Sequence, residues 1–319
     1  MSEALYLSGW RYRAVILSVV GAAFGYLGFS LWAGWQAVGS AVARVGMGGI
    51  VLALLLSLVN YGLRFLRWQS YLRAFGHTVP WWPSLRIYLA GFALTTTPGK
   101  AGEALRGVLL KPWGMPYPQS FAAFFSERLS DLFAVVLLAL FGLTLYPNAW
   151  PLIGLGVGLV VSGLFVLSQR RLLERLLELF SWQHGAVLGL IKHLPQVLLE
   201  AQRCHRLEML IGATLLSVIA WSAEALAFHW ILQWMGAENS LAFTVFVYAL
   251  SMLAGALSFM PGGLGGAEAL MVTLLVWKGM PNGDAVAATV LIRLVTLWFA
   301  VGIGAVFLYF GNRMVLGRG

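Results

Sequence analysis

Residues 98–105 read Pro-Gly-Lys-Ala-Gly-Glu-Ala-Leu, and residues 261–270 read Pro-Gly-Gly-Leu-Gly-Gly-Ala-Glu-Ala-Leu. Each stretch interrupts a long apolar run, and together they mark one unit written twice. A shift of 165 residues superposes the sequence that follows. Glu103-Ala104-Leu105 falls on Glu268-Ala269-Leu270, and Gly114-Met115-Pro116 on Gly279-Met280-Pro281. Ala122-Ala123 falls on Ala287-Ala288, and Arg128-Leu129 on Arg293-Leu294. Positions 103–136 hold 14 identities in 34, more than a shared apolar bias gives. Upstream, a two-residue slip sets Pro98-Gly99 on Pro261-Gly262 and Gly102 on Gly265. Proline removes a helical hydrogen bond and glycine adopts dihedrals that other residues avoid, so both stretches predict a broken helix.

The surrounding sequence belongs in a bilayer. Of 319 residues 60% are hydrophobic and only 10% charged, against about 25% charged in an average soluble domain. That excludes a soluble enzyme, a nucleic-acid binder and a disordered chain. A span needs about 20 mostly apolar residues. Six stretches qualify: 14–36, 47–68, 119–146, 150–169, 208–235 and 284–311. The run 14–35 is longer than the roughly 7–15 residues of a signal-peptide core and reads as the first span. The interrupted regions 82–111 and 241–278 read as re-entrant hairpins or as pairs of short spans. The expected fold class is all-α: a polytopic integral membrane protein of about six spanning helices plus two broken hairpins, in an inverted internal repeat.

The halves are expected at 1–169 and 207–319, joined by a connector at 170–206. Leu172, Leu173, Leu176, Leu177 and Phe180 recur there at helical spacing. They predict an amphipathic helix lying on the membrane face or packed beneath the spans.

The net charge is +9. Arg11 and Arg13, the group from Arg67 to Lys111, the group from Arg170 to Arg206, and Arg313 with Arg318 all fall on one side if both termini are cytoplasmic. The opposite loops keep only Arg44 and Lys278. Cytoplasmic loops carry the excess of basic residues, so this is the expected orientation. It places the first break on the cytoplasmic side and the second on the outer side, an inversion typical of transporters with a midplane site. The alternative is an old duplication without transport. The single cysteine, Cys204, excludes a disulfide framework.

Arg128 and Arg293 sit about nine residues into their spans, roughly 14 Å deep. A charge at that depth needs a partner or a wet cavity. Glu103 and Glu268 in the breaks, Glu127 and Asp131 beside Arg128, and Glu224 in the fifth span are the candidates. Either these groups build a polar cavity, or each arginine only ties its broken helix to the next span. Pro98, Gly99 and Gly102, with Pro261, Gly262, Gly263 and Gly265, shape the two breaks. At the first, Lys100 and Arg106 add positive charge to a helix start, which attracts phosphate. The expected substrate-binding residues are Lys100, Glu103, Arg106, Arg128, Glu268 and Arg293. No metal, cofactor or nucleotide motif is read, and His77, His184, His193, His205 and His229 show no ligand spacing. Gly21-x-x-x-Gly25 and Gly154-x-x-x-Gly158 permit close helix packing, within the chain or between copies in a homo-oligomer.

On Thr97-Pro98-Gly99-Lys100-Ala101-Gly102-Glu103-x-x-Arg106 and Pro261-Gly262-Gly263-Leu264-Gly265-Gly266-x-Glu268, the chain resembles the lysylphosphatidylglycerol synthase transmembrane family. These are also described as flippase-like membrane proteins, and the resemblance covers nearly the whole chain. It implies a bacterial or archaeal inner-membrane protein that moves lipids between leaflets. The cargo of such stand-alone members ranges over phospholipids, hopanoids and polyprenyl-phosphate sugars. Some members carry an aminoacyl-transferase domain; this sequence stops at Gly319, so lysyl-lipid synthesis is not expected. The expected function is translocation of an anionic or polyprenyl-phosphate lipid, not enzymatic. A non-transporting, lipid-binding partner in envelope biosynthesis is the alternative. A membrane-embedded lipid-modifying enzyme would need a clustered acid–base or metal set that the sequence does not offer.

Overall fold

The computed structural model describes residues 28, 35–96, 104–145, 148, 150–171, 174–175, 194–258 and 261–316. Nearly all of the expected first span, and most of the expected connector helix with Phe180, lie outside the described residues. Within them all regular structure is helical. The first half holds α1 (Trp35–Ala74, bent at Gly46), α2 (Trp81–Ala90, extended by a 3₁₀ turn at Gly91–Leu94), α3 (Ala104–Leu110) and α4 (Tyr117–Leu143). Then come α5 (Trp150–Ser168) and the short α6 (Leu194–Ala201). The second half holds α7 (Leu207–Trp234), α8 (Leu241–Leu257), α9 (Gly266–Trp277), α10 (Asn282–Arg293) and α11 (Phe299–Leu316), the last two joined by a π-helical turn at Leu294–Trp298.

Among the described residues four helices are long and apolar enough to cross a membrane: Gln36–Ala74, Trp150–Ser168, Leu207–Trp234 and Asn282–Tyr309. At 27 residues α4 is long enough too, but Glu127, Arg128 and Asp131 interrupt its apolar surface. The outward faces are greasy. On α5 Leu152, Leu155, Leu159 and Phe165 are exposed, Leu159 by 64%. Water does not tolerate so continuous an apolar surface; lipid does. The chain is an all-α polytopic membrane protein.

The repeat governs the packing. Under the 165-residue shift α1 corresponds to α7, α2 to α8, α3 to α9, and α4 to α10 with α11. The contacts obey the exchange. α4 packs on α8 as α11 packs on α2; α7 packs on α4 as α1 packs on α10; α1 and α7 pack on each other. Each half thus lays its long final helix against the broken hairpin of the other. Glycine closes both of these interfaces. A β-carbon on Gly142 of α4 would overlap Phe246 of α8, and one on Gly304 of α11 would overlap the Ala93 amide. The paired Gly-Met-Pro turns are also alike in shape. Gly114 and Gly279 both take positive φ (81° and 100°), which ends one helix, and Pro116 and Pro281 precede the first turn of the next.

The placement of Arg67 differs from expectation. Arg67 was expected in the basic group flanking the second span. Instead α1 runs on to Ala74, and Arg67 lies inside the helix pack, 1% exposed.

Candidate functional site

The second break is built around one ion pair. Gly262, Gly263 and Gly265 all take positive φ, which turns the chain sharply between α8 and α9. Pro261 opens the short 3₁₀ turn there. Gly263 can lie against the Gly255 backbone because neither residue has a side chain. Glu268, in the first turn of α9, accepts a hydrogen bond from the Gly265 amide at 2.7 Å. Its other oxygen accepts from Arg293 Nε at 2.6 Å. Arg293 Nη2 donates to the Gly262 carbonyl at 3.0 Å, and Nη1 lies 3.9 Å from Met252 Sδ. Both ionised groups are buried. Arg293 therefore holds the break from the neighbouring helix, as one of the two sequence readings has it.

The first half carries a larger cluster. Asp131 on α4 meets three arginines: Arg67 at 2.6 Å, Arg128 at 3.2 Å and Arg64 at 3.4 Å. Trp221 Nε1 of α7 donates to the same carboxylate at 3.1 Å. Arg67 also donates to Ser130 at 3.1 Å and to Ser217 of α7, and lies 3.7 Å from Glu127. Glu127, fully buried, accepts from Arg106 Nη1 at 2.7 Å. The Arg106 guanidinium lies over the Tyr88 ring at 4.3 Å and near Trp68 and Phe92. Gly91 leaves the room its side chain needs. Arg106 is 2% exposed, so it is an internal charge rather than one displayed at the surface.

Between the two groups stands Glu224 on α7. It accepts from the Tyr248 hydroxyl of α8 and is within electrostatic range of Arg64, Asp131 and Arg293. A polar thread of contacts runs from Arg106 through Glu127 and Arg67 to Asp131, and Glu224 with Tyr248 and Arg293 with Glu268 form two further buried polar groups. In a low-dielectric interior such a thread persists only if its charges are mutually paired.

The chain leading to the first Pro-Gly stretch meets the second break. Thr96, the last described residue before the first break, packs on Gly262: its Cγ2 and Cα lie 3.4 and 3.5 Å from where a Gly262 β-carbon would stand. Leu297 of the π-helical turn closes the same spot at 3.6 Å. Of the expected site residues, Arg106, Glu127, Arg128 and Asp131 share the thread, Glu268 and Arg293 pair at the second break, and Glu224 meets Tyr248. Pro98, Gly99, Lys100, Gly102 and Glu103 lie outside the described residues. Sequence reasoning missed Arg64, Arg67, Trp221 and Tyr248. The available signal was the three-residue spacing of Arg64 and Arg67 at the end of a helical apolar run, which sets both on one face. Among the described residues no group of three or more His, Cys, Asp or Glu side chains is placed to hold a metal ion.

Outside the spans, His205 is buried in the turn before α7 and shares a 3.0 Å hydrogen bond with Ser126 Oγ of α4. Ser126 gives its own proton to the Ala122 carbonyl, so His205 donates from Nε2 and is neutral. Burial pushes the imidazole down to about 4 from its ordinary 6.5, and pushes the adjacent Cys204 thiol up to about 12. The unfolded chain therefore takes up a proton near pH 6.5 that the folded chain refuses until about pH 4. The stability tied to this group is whole above pH 6.5 and lost as the pH falls from 6.5 to 4, by about 3 kcal/mol at most. His205→Phe is expected to flatten the fall in Tm between pH 7 and pH 4; an unchanged slope would contradict this role.

With this geometry in place the comparisons fall on the same elements. A UPF0104 membrane protein of Pyrococcus horikoshii is 26% identical over 317 residues, covering 89% of this chain and 93% of that protein. A UPF0104 membrane protein of Methanothermobacter thermautotrophicus is 26% identical over 299 residues, 83% of this chain and 86% of that one. One from Methanocaldococcus jannaschii is 27% identical over 241 residues, 70% of this chain and 96% of that one. The family described as the lysylphosphatidylglycerol synthase TM region matches residues 15–304, so both broken hairpins, the charged thread and the helices that bury it lie within one shared pattern. The chain belongs to the lysylphosphatidylglycerol synthase transmembrane family.

Proposed function

We propose that this protein is a lipid translocase that moves an anionic phospholipid or a polyprenyl-phosphate lipid between leaflets. The observation that carries this reading is the packing of Thr96, where the chain leads to the first Pro-Gly stretch, on Gly262 of the second break, beside buried charges. A protein that only had to be stable in lipid would do as well with apolar packing at these positions. A path for a charged head group needs charges inside, and needs two halves that can trade roles. Broken helices in corresponding positions of two repeats provide both. In this reading the termini are cytoplasmic and the protein sits in the inner membrane of a bacterium or archaeon. Its role is transport without chemistry on the lipid.

The test is leaflet exchange in proteoliposomes, with head-group-labelled phosphatidylglycerol, phosphatidylethanolamine and a polyprenyl-phosphate sugar. The protein is expected to exchange one phosphate-bearing class well above empty liposomes. Exchange of none of them by folded protein would turn the reading toward a lipid-binding partner of another membrane enzyme.

A further inference from the structure

The seam between the breaks contains an anomaly. Thr95 and Thr96 stand side by side in the turn after α2, both hydroxyls buried and neither with a hydrogen-bond partner; Thr96 is 2% exposed. Thr244, Thr273, Thr289 and Thr296 each donate to the carbonyl four residues back, the usual way a helical threonine is satisfied. A buried hydroxyl without a partner costs free energy, and two adjacent ones cost twice. Thr96 lies next to Gly262, whose carbonyl is held by Arg293 Nη2. Thr96, with a second spare donor beside it in the chain, and a guanidinium fork therefore flank one glycine.

We infer that this seam is the subsite for the phosphate of the transported lipid, read by the Thr95 and Thr96 hydroxyls and by Arg293. The inference rests on the translocase reading and names the part of the head group that is recognised. Phosphate oxygens only accept hydrogen bonds, and the seam offers donors. Arg293 gives up a neutral carbonyl and gains a charged acceptor, with which a guanidinium bonds more strongly and in two places. Glu268 stays on Arg293 Nε and the Gly265 amide, so the fork keeps its orientation while Nη2 changes partner. When the head group leaves, the Gly262 carbonyl returns to Arg293 and the seam closes on Thr96.

The test uses the purified full chain and the double variant Thr95→Val with Thr96→Val. Thermal unfolding is followed in titrations with dioctanoyl phosphatidylglycerol, dioctanoylglycerol and inorganic phosphate. Bound ligand raises Tm by an amount that grows with the logarithm of ligand concentration over Kd. Wild type is expected to be stabilised by the phospholipid and not by dioctanoylglycerol. The double variant is expected to keep or raise its ligand-free Tm, since it loses only unpartnered hydroxyls, and to weaken phospholipid binding about tenfold or more. Unchanged affinity in the double variant overturns the subsite. So does equal binding of dioctanoylglycerol, which would mean that acyl chains are read. A lower ligand-free Tm would give the hydroxyls a structural role instead. Phosphate as effective as phospholipid would make this a free-phosphate site and overturn the lipid assignment. Leaflet exchange is measured separately. Phospholipid binding without exchange sinks the translocase reading and leaves the subsite standing; exchange by a double variant of unchanged affinity does the reverse.

Discussion

Arg67→Leu is expected to destabilise the protein by about 3–5 kcal/mol, the usual cost of removing one partner from a buried ion pair. Arg67 is the centre of the first-half cluster. It reaches Asp131 at 2.6 Å, Ser130 at 3.1 Å, Ser217 and, at 3.7 Å, Glu127. These partners lie on α4 and α7, so a single guanidinium joins three long helices. Leucine fills much of the volume but leaves two buried carboxylates with one cation fewer. The carboxylates bear most of the cost, not the lost arginine. Arg67→Leu combined with Asp131→Leu should therefore recover part of the stability, although Arg64 and Arg128 then lose their shared partner. Thermal unfolding in detergent reads both. A single variant within about 0.5 kcal/mol of wild type, the range of an ordinary surface substitution, would mean that the cluster does not join the helices.

Arg293→Ala is expected to lower leaflet exchange roughly tenfold to a hundredfold, on the scale of about 1.5–3 kcal/mol for a hydrogen bond to a charged group. The side chain ties Glu268 and the Gly262 carbonyl to α10, so its loss frees the second break from its neighbour. Arg293→Lys keeps the charge and loses the fork, because an ammonium cannot serve Glu268 and Gly262 in one plane. It should exchange at an intermediate rate with near-normal stability. Equal rates for wild type, Arg293→Lys and Arg293→Ala would remove Arg293 from the path.

The sequence made much of this architecture legible. Four of the spans and the second break follow from apolar run length and from the Pro-Gly-Gly stretch, both local signals. The Glu268–Arg293 pair was also readable, since a buried charge demands a partner and the repeat narrows the choice. Arg67 was not readable. The 47–68 span set Arg67 in its last turn among the flanking charges, whereas α1 continues to Ala74 with Arg67 inside, because Asp131 and Ser217, distant in sequence, receive the guanidinium. Arg106 was misplaced for a related reason. Its sequence neighbourhood is that of a surface turn, and only the fold brings Glu127 and the rings of Tyr88 and Trp68 around it. Tyr248 carries no sequence signal at all. A tyrosine in an apolar helix reads as packing until Glu224 is found against its hydroxyl.

The central claim is that the seam between Thr96 and Gly262 must part for a head group to pass. A cysteine bridge across the seam tests it most directly. The β-carbons of residues 96 and 262 lie close to the roughly 3.5–4.5 Å separation that a disulfide needs. In a Cys204→Ser background, Thr96→Cys with Gly262→Cys is reconstituted, oxidised, assayed for exchange, then reduced and assayed again. Exchange that stops on oxidation and returns on reduction is the predicted result. Exchange at the reduced rate with the bridge formed would contradict the account, because the lipid would then be crossing somewhere else.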